Sequence, residues 1–194
     1  YNAYELVHPP WNYGPASSAR SGSDIPGPTY WQNPVDYKIS ASLDEEARKI
    51  SGEVEMTYKN NSPDKLPFLW LQLDQNSFST KSRGGKTTPV SGGRFGNIGF
   101  EGGYQIESVT VDGKAATYVV EDTRMQIRLA QPMVEKVGVA KIKIVYSFKS
   151  PANGHDRMGI QETKNGAIFT VAQWFPRMCV YDDIEGWNVL PYLG

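Results

Sequence analysis

The stretch KIKIVYSF at residues 141–148 alternates apolar and polar side chains along its length. Side chains that alternate in this way point to opposite faces of an extended strand, so the pattern predicts a half-buried β-strand. The same period recurs in YKISASLD (37–44) and ISGEVEMTYK (50–59), and DEEAR (44–48) is predicted to be the hairpin loop between them. No stretch keeps a helical period over three turns, so the sequence predicts a chain built mostly from strands.

Further strands are predicted from shorter patterns. The run FLWLQL at residues 68–73 is almost continuously apolar, which is typical of a strand buried on both faces. Other strands are predicted at residues 106–111, 116–120, 125–129 and 168–172. About eight or nine strands at spacings near ten residues indicate an all-β fold, an antiparallel β-sandwich or strongly curved sheets.

Two segments depart from the strand pattern. Residues 1–34 contain six prolines, which lack an amide hydrogen and fix φ, so an extended arm is predicted rather than a helix or central strand. The arm also carries six Tyr and Trp side chains, and we expect part of it to pack against the protein surface as a strap. Residues 77–104, approximately, contain eight glycines and are predicted to form an insertion loop. Residues 35–194 make up the predicted β-domain.

The composition excludes several classes of function. Twenty-one acidic residues against 20 basic ones give a net charge of −1, so the chain has no electrostatic reason to bind nucleic acid or an anionic membrane. One cysteine excludes an intramolecular disulfide, and one cysteine with two histidines leaves too few ligands for a Cys/His zinc site. No apolar run approaches the roughly 20 residues that a membrane-spanning helix needs.

Catalytic motifs are also missing from the sequence. Neither His8 nor His155 begins an H-E-x-x-H motif, and the sequence contains neither a phosphate-binding loop ending in Lys-Ser/Thr nor a G-x-S-x-G elbow. Cys179 lies in the apolar run MCV, so a buried, inert thiol is predicted rather than a nucleophile paired with His155. The HDR stretch at residues 155–157 is interpreted as a solvated turn, with an interface contact as the alternative.

The last 23 residues carry a recognisable pattern. AQWFPR (172–177), YDD (181–183), GWN (186–188) and PYLG (191–194) closely resemble the end of the N-terminal domain of bacterial zinc aminopeptidases of the aminopeptidase N type, a family that includes leukotriene hydrolase. Earlier segments agree with this resemblance at YWQN (30–33), DY (36–37), GE (52–53), YKNNSP (58–63) and LWLQLDQN (69–76). The resemblance extends from about residue 30 to residue 194, and it is weaker at residues 79–103. It implies a saddle-shaped all-β domain that covers one side of an active-site cleft.

The resemblance also implies where the chemistry lies. In this family, zinc is held by H-E-x-x-H and a later Glu, and a G-x-M-E-N motif binds the substrate N-terminus, all in a following thermolysin-like domain. None of these motifs occurs in this sequence. The chain is therefore expected to be a non-catalytic domain without a metal or cofactor of its own, and the catalytic domain is absent from it. The parent enzyme would use zinc to remove N-terminal residues from peptides.

The implied partners are a peptide substrate, reached through the parent enzyme, and the missing catalytic domain. Neither nucleic acid nor a membrane span is expected. The resemblance, together with a first residue other than Met, favours an exported protein, periplasmic or on the cell surface, over a cytoplasmic one.

Gln173 is the candidate substrate-binding residue that the resemblance supplies. It matches a Gln at a strand end in the family, and its amide oxygen could accept a hydrogen bond from a substrate ammonium group. Phe175 stands where the family has a second polar residue. The alternative is that the Gln173 side chain bonds a neighbouring backbone group. Asp182 and Asp183 are expected to pair with Arg177 or to cap a turn, with contact to the substrate as the alternative.

The aromatic residues near the C-terminal end form the other candidate site. Trp174, Phe175, Trp187 and Tyr192 are predicted to contact the catalytic domain and to leave part of an apolar patch exposed in this chain. Five Trp and eleven Tyr residues also allow a carbohydrate-binding β-sandwich, because sugars stack on aromatic rings. A protein-interaction module is the third possibility.

Overall fold

The structure, a computed structural model, describes residues 18–21, 25–87, 100–152 and 157–192. Its strands, in chain order, are β1 (Val35–Asp44), β2 (Lys49–Asn60), β3 (Leu66–Gln72), β4 (Gln105–Val111), β5 (Lys114–Ala115), β6 (Thr117–Glu121), β7 (Arg124–Met133), β8 (Gly138–Lys149), β9 (Gly159–Thr163), β10 (Gly166–Thr170), β11 (Arg177–Met178), β12 (Tyr181–Asp182) and β13 (Gly186–Trp187). Helix in these ranges is limited to a 3₁₀ turn, Asp74–Phe78, and one short helix, α1 (Arg83–Thr87). The prediction of an all-β fold is confirmed.

Most strands belong to two antiparallel sheets. One sheet has five strands in the order β1-β2-β8-β4-β5, and the other has four in the order β11-β3-β7-β6. Two further hairpins, β9–β10 and β12–β13, pair only with themselves. The strand β8 carries the KIKIVYSF stretch and lies at the centre of the larger sheet, between β2 and β4.

The core contains the inward side chains of both sheets. Val54 of β2 and Ile144 of β8 are fully buried, as are Leu69 of β3 and Ile127 of β7, and all four belong to one apolar cluster. Because successive strand residues point to opposite faces, the alternation in β2 and β8 gives each strand one buried face. This shared core is what the period-two patterns predict.

The expectation that β3 is buried on both faces is wrong. Leu69 and Leu71 are fully buried, whereas Phe68 and Trp70 are only half-buried. One face of β3 meets the core, and the other lies partly at the surface. A run of large apolar residues does not distinguish these two cases, because a bulky side chain on the outer face shields itself only in part.

The loops follow the turn signals of the sequence. Residues 45–48 form the turn that joins β1 to β2, and residues 61–64 lie between β2 and β3. The predicted insertion loop at residues 77–104 includes α1, and its residues 88–99 lie outside the described ranges. Of the described helices, none is long and apolar enough to cross a membrane.

The described part of the N-terminal arm contacts the β-strands and the C-terminal end of the chain. Arg20 pairs with Asp183 at 2.8 Å, and the Trp31 ring stacks on Tyr181 at 5.7 Å between centroids. Asn33 donates from its side-chain amide to the hydroxyl of Tyr58 at 2.9 Å. These contacts place the arm beside residues 181–187.

Candidate functional site

The C-terminal segment, defined here as residues 171–192, lies along the smaller sheet. Its strand β11 pairs with the end of β3, and the Cys179 amide donates to the carbonyl of Trp70 at 2.8 Å. Farther along, the amide of Tyr192 donates to Oγ1 of Thr123 at 2.8 Å. The segment is therefore fixed to the sheet at several points along its length.

Gln173 lies in this segment just after β10, and a set of hydrogen bonds holds its backbone. Its carbonyl accepts bonds from Nε2 of Gln75 at 3.2 Å and from the hydroxyl of Tyr104 at 3.1 Å. Nε2 of Gln75 also donates to the carbonyl of Ala172 at 2.8 Å, and Gln75 is only 2% exposed. Gln173 adopts a φ of +48°, in the left-handed region that residues other than glycine rarely occupy.

The side chain of Gln173 is half-buried and uses one of its two polar atoms. Its Nε2 donates to the hydroxyl of Tyr192 at 2.9 Å, so its partner is a side chain rather than the backbone group that the alternative interpretation named. No hydrogen bond between the described residues ends on its side-chain oxygen. That oxygen is available to accept a bond from a donor outside this chain.

A buried ion pair lies beside this cluster. The carboxylate of Asp74 is 1% exposed, and its Oδ2 accepts bonds from Nε and Nη2 of Arg177 at 2.9 and 2.7 Å. Its other oxygen, Oδ1, is buried without a partner in the described part of the chain. Burial raises the pKa of Asp74, and the neighbouring guanidinium of Arg177 opposes that rise.

The expected pairing of Asp182 or Asp183 with Arg177 is wrong. Arg177 turns inward to Asp74, while Asp183 faces the arm and pairs with Arg20. Asp182 instead caps the turn between β12 and β13, where its Oδ1 accepts from the amides of residues 184 and 185 at 3.0 and 2.8 Å. The capping half of the expectation is confirmed. Sequence proximity suggested the wrong acid because Asp74 approaches Arg177 only through the β3–β11 pairing.

Cys179 and the two histidines are the residues that could supply a nucleophile or metal ligands. Cys179 is buried, and burial raises the pKa of its thiol to about 12, which agrees with the predicted inert thiol. His8 and His155 lie outside the described residues. Within the described ranges, no three His, Cys, Asp or Glu side chains stand close enough together to hold a metal ion.

The four aromatic candidates of the C-terminal segment are all half-buried. The Trp187 ring lies 6.0 Å from the ring of Tyr58 and 5.1 Å from that of Tyr181, and Phe175 packs edge-on against Tyr37 at 5.7 Å. Trp174 packs edge-on against Phe175 at 5.3 Å, and Trp174, Phe175 and Trp187 all lie against the apolar core. The strongly exposed apolar side chains of the segment are aliphatic, namely Val180, Ile184 and Leu190 at 63, 64 and 73%.

Solved structures of M1 zinc metallopeptidases are similar to this chain at a low level. The M1 zinc metallopeptidase from Deinococcus radiodurans shares 12% identity with a TM-score of 0.42, over 66% of this chain and 22% of that one. A mutant of the D. radiodurans protein bound to a Tyr-Ser-Ala substrate shares 11% identity with a TM-score of 0.41, over 62% of this chain and 21% of that one. A two-domain M1 zinc metallopeptidase mutant bound to L-arginine shares 13% identity with a TM-score of 0.43, over 71% of this chain and 26% of that one. The chain thus covers about a quarter of the length of these proteins or less. No family model and no curated protein sequence matches it.

The sequence supplied Gln173 as a candidate but gave no indication of the residues that hold it in place. Gln75 and Tyr104 lie 98 and 69 residues away from it along the chain, and Asp74 lies 103 residues from Arg177. The one available signal was a polar DQN stretch directly after the apolar strand β3, at residues 74–76. In the structure, Asp74 and Gln75 of this stretch are buried and bond to the C-terminal segment.

Proposed function

We propose that this chain is the non-catalytic β-domain of a zinc aminopeptidase and that it forms one wall of the cleft that receives peptide N-termini. Gln173 is the residue of this wall that meets the substrate, and its side-chain oxygen accepts a hydrogen bond from the substrate ammonium group. The resemblance of residues 30–194 to the aminopeptidase N type supplies the reaction class.

The observation that carries the proposal is the meeting of two separate segments of that resemblance. Residues 69–76 contribute Gln75 and Asp74, and residues 172–177 contribute Gln173 and Arg177. Both segments come together at one end of the smaller sheet and lock the Gln173 backbone in a rarely populated conformation. Strain of this kind persists where the surroundings impose it, and it is concentrated at functional sites.

The chemistry of the cluster fits a cationic group. A neutral amide oxygen accepts a bond from an ammonium without the desolvation cost that a second buried carboxylate would add. The nearby Asp74 charge is already paired with Arg177. The described residues contain no ligand set for zinc. In the proposal, the metal, which in this reaction class polarises the scissile carbonyl and activates water, belongs to the catalytic domain of the parent.

The first test is the reading frame that encodes the chain. We expect it to continue into an H-E-x-x-H motif, and the whole encoded protein to release N-terminal residues from aminoacyl anilides. A frame without such a domain, or a whole protein without this activity, would overturn the proposal.

The second test addresses Gln173 in that whole protein. Gln173→Leu should raise KM for peptides with a free amine about tenfold or more and leave kcat nearly unchanged, because a hydrogen bond to a charged group contributes roughly 1.5–3 kcal/mol. Gln161→Leu, the same change on the exposed strand β9, is the matched control and should leave both constants unchanged. Equal kinetics for the two variants would remove Gln173 from the site.

A further inference from the structure

Strand β1 is an edge strand with one unused side. It pairs with β2 over all ten of its residues without a shift in register, and it contains neither proline nor glycine. It lies at the end of the five-stranded sheet, so no described strand pairs with its other edge. Proteins usually protect such an edge with a proline, a bulge, charged side chains, a short strand or a covering element. Of these, β1 has only charged side chains, Asp36, Lys38 and Asp44.

The register shows which backbone groups face outward. The carbonyl of Pro34 accepts a bond from the amide of Lys59, so even-numbered residues of β1 point their backbone groups toward β2. The outward amides and carbonyls therefore belong to the odd-numbered residues 35–43. No described residue forms a hydrogen bond with them. Two apolar side chains on the core-side face of this strand, Tyr37 and Leu43, remain 37 and 43% exposed.

We propose that this edge binds a second copy of the chain, with the two β1 strands antiparallel and the two-fold axis at Ala41. In this register Ala41 exchanges backbone bonds with the partner's Ala41, and Ile39 does so with the partner's Leu43, reciprocally. The five-stranded sheet then continues across the axis into the second copy. The exposed Leu43 side chain is covered by the partner's Ile39.

The charged side chains of β1 favour this register over pairings shifted along the strand. With the axis at Ala41, Lys38 stands opposite the partner's Asp44 twice, in pairs that are not hydrogen-bonded and whose side chains are therefore closest. Within the described ranges, no acidic group lies within 4.0 Å of the Lys38 ammonium. Moving the axis to Ser40 would place Asp36 opposite the partner's Asp44, which is repulsive on both sides of the axis.

One other register also matches charges. An axis at Tyr37 places Asp36 opposite the partner's Lys38, but it leaves Leu43 uncovered and runs the partner's arm beside the end of β1. The two registers differ in the acid they use, Asp44 in one and Asp36 in the other. This difference separates them by experiment.

The test is sedimentation of the 194-residue chain over a range of concentrations. An interface of one strand edge is small, so we expect a reversible dimer whose population rises with concentration. Lys38→Glu and Asp44→Lys each create two like-charge pairs and should each lower the association constant about tenfold or more. Asp36→Lys is the matched control, because it changes a charge on the same face beyond the last strand pair of the overlap. There it would stand near the partner's acidic Glu46, so it should leave the association constant unchanged or raise it.

The decisive arm mixes the two weak variants. Lys38→Glu on one copy faces Asp44→Lys on the other, and the two native side chains face each other on the opposite side of the axis. The mixture should therefore form a heterodimer within about threefold of the native association constant. Asp44 also accepts a hydrogen bond from the amide of Ala47 at 2.9 Å, so Asp44→Lys removes a bond within its own chain. The thermal unfolding midpoint of each variant is therefore measured to show that it is folded. Recovery in the mixture of the same two proteins then separates loss of the interface from loss of folding.

Four results would overturn the inference. The first is a native chain that stays monomeric at the highest concentration, and the second is single variants that associate as tightly as the native chain. The third is a mixture whose association constant stays as low as that of the single variants. The fourth is an association constant lowered by Asp36→Lys but not by Asp44→Lys. The last result would assign the Tyr37 register. None of these outcomes depends on Gln173 or on zinc, so the proposed function stands or falls separately.

Discussion

Arg177 donates both Nε and Nη2 to one oxygen of Asp74, at 2.9 and 2.7 Å, and so joins β11 to the 3₁₀ turn that follows β3. The two partners lie in different surroundings, since the carboxylate is 1% exposed and the Arg177 side chain is 44% exposed. Losing the cation leaves a buried charge behind, whereas losing the acid leaves a cation that water can reach. The pair is therefore asymmetric in its effect on stability.

Arg177→Met should lower the free energy of unfolding at pH 8 by about 3–5 kcal/mol, the typical cost of leaving a buried charge unpaired. Asp74→Asn should cost less. The pKa of Asp74 is already raised by burial, and losing Arg177 raises it further, so the folded variant keeps a proton that the unfolded chain releases. The stability of Arg177→Met should therefore recover as the pH falls from 8 to 5, in urea titrations at both values. Equal losses at both pH values, or a larger loss for Asp74→Asn, would contradict this account.

Gln75→Leu should destabilise the chain by about 1–3 kcal/mol, because it removes the buried donor that the carbonyls of Ala172 and Gln173 share. Gln72→Leu is the matched control. Gln72 donates to the carbonyl of Leu190 in an exposed place, and its own oxygen is buried without a partner within the described residues. That change should be nearly neutral in denaturant titrations. The prediction fails if the two substitutions cost the same.

The strands that could be predicted are those whose burial is one-sided. In β1, β2 and β8, side chains alternate between the core-side and the outer face, and the sequence alternates with them. The strand β9 escaped prediction because its sequence GIQET is mostly exposed and shows little alternation, and it exists through its pairing with β10. The two-residue strands β11–β13 are too short to carry any period.

Less of the candidate site than of the fold could be predicted from the sequence. A polar residue at a strand end could be singled out by resemblance, but Gln75 and Tyr104 reach Gln173 only because the sheets fold back on themselves. Nothing local in the sequence predicts a left-handed φ at Gln173, since no turn residue occupies that position. Tertiary hydrogen bonds impose that conformation, so it becomes visible only in the structure.

Replacing Gln173 by glycine and by alanine should isolate that backbone strain. Both variants lose the bond to Tyr192, but glycine adopts a φ of +48° without steric cost. Gln173→Gly should therefore be more stable than Gln173→Ala by about 1 kcal/mol. At Ala167 in β10 the order should be reversed, with Ala167→Gly less stable than the native chain. An Ala variant at position 173 that is as stable as the Gly variant would exclude the strain.

Cys179 should resist thiol reagents in the folded chain at pH 8. Burial raises the pKa of its thiol to about 12, so the reactive thiolate is scarce and sterically covered. Labelling by a disulfide reagent should follow global unfolding and become rapid in denaturant. The folded state holds a proton that the unfolded state releases above its ordinary pKa of 9.0, so this group lowers stability as the pH rises from 9 toward 12. Rapid labelling of the folded chain at pH 8 would show an exposed thiol instead.

Trp187→Ala should destabilise the 194-residue chain by about 2–3 kcal/mol, somewhat below the roughly 3–5 kcal/mol of a fully buried Trp, because the ring is half-buried between Tyr58 and Tyr181. Burial raises the pKa of Tyr58 to about 12, and removing the stacked indole should move it back toward 10, measured by absorbance titration. Leu190→Ala, at the most exposed apolar side chain of the segment, is the control and should change stability by less than about 0.5 kcal/mol. If Trp187 also meets a catalytic domain in the proposed parent, its loss should cost more there than in this chain. Equal losses in both proteins would assign Trp187 to the core of the β-domain and remove it from the interface.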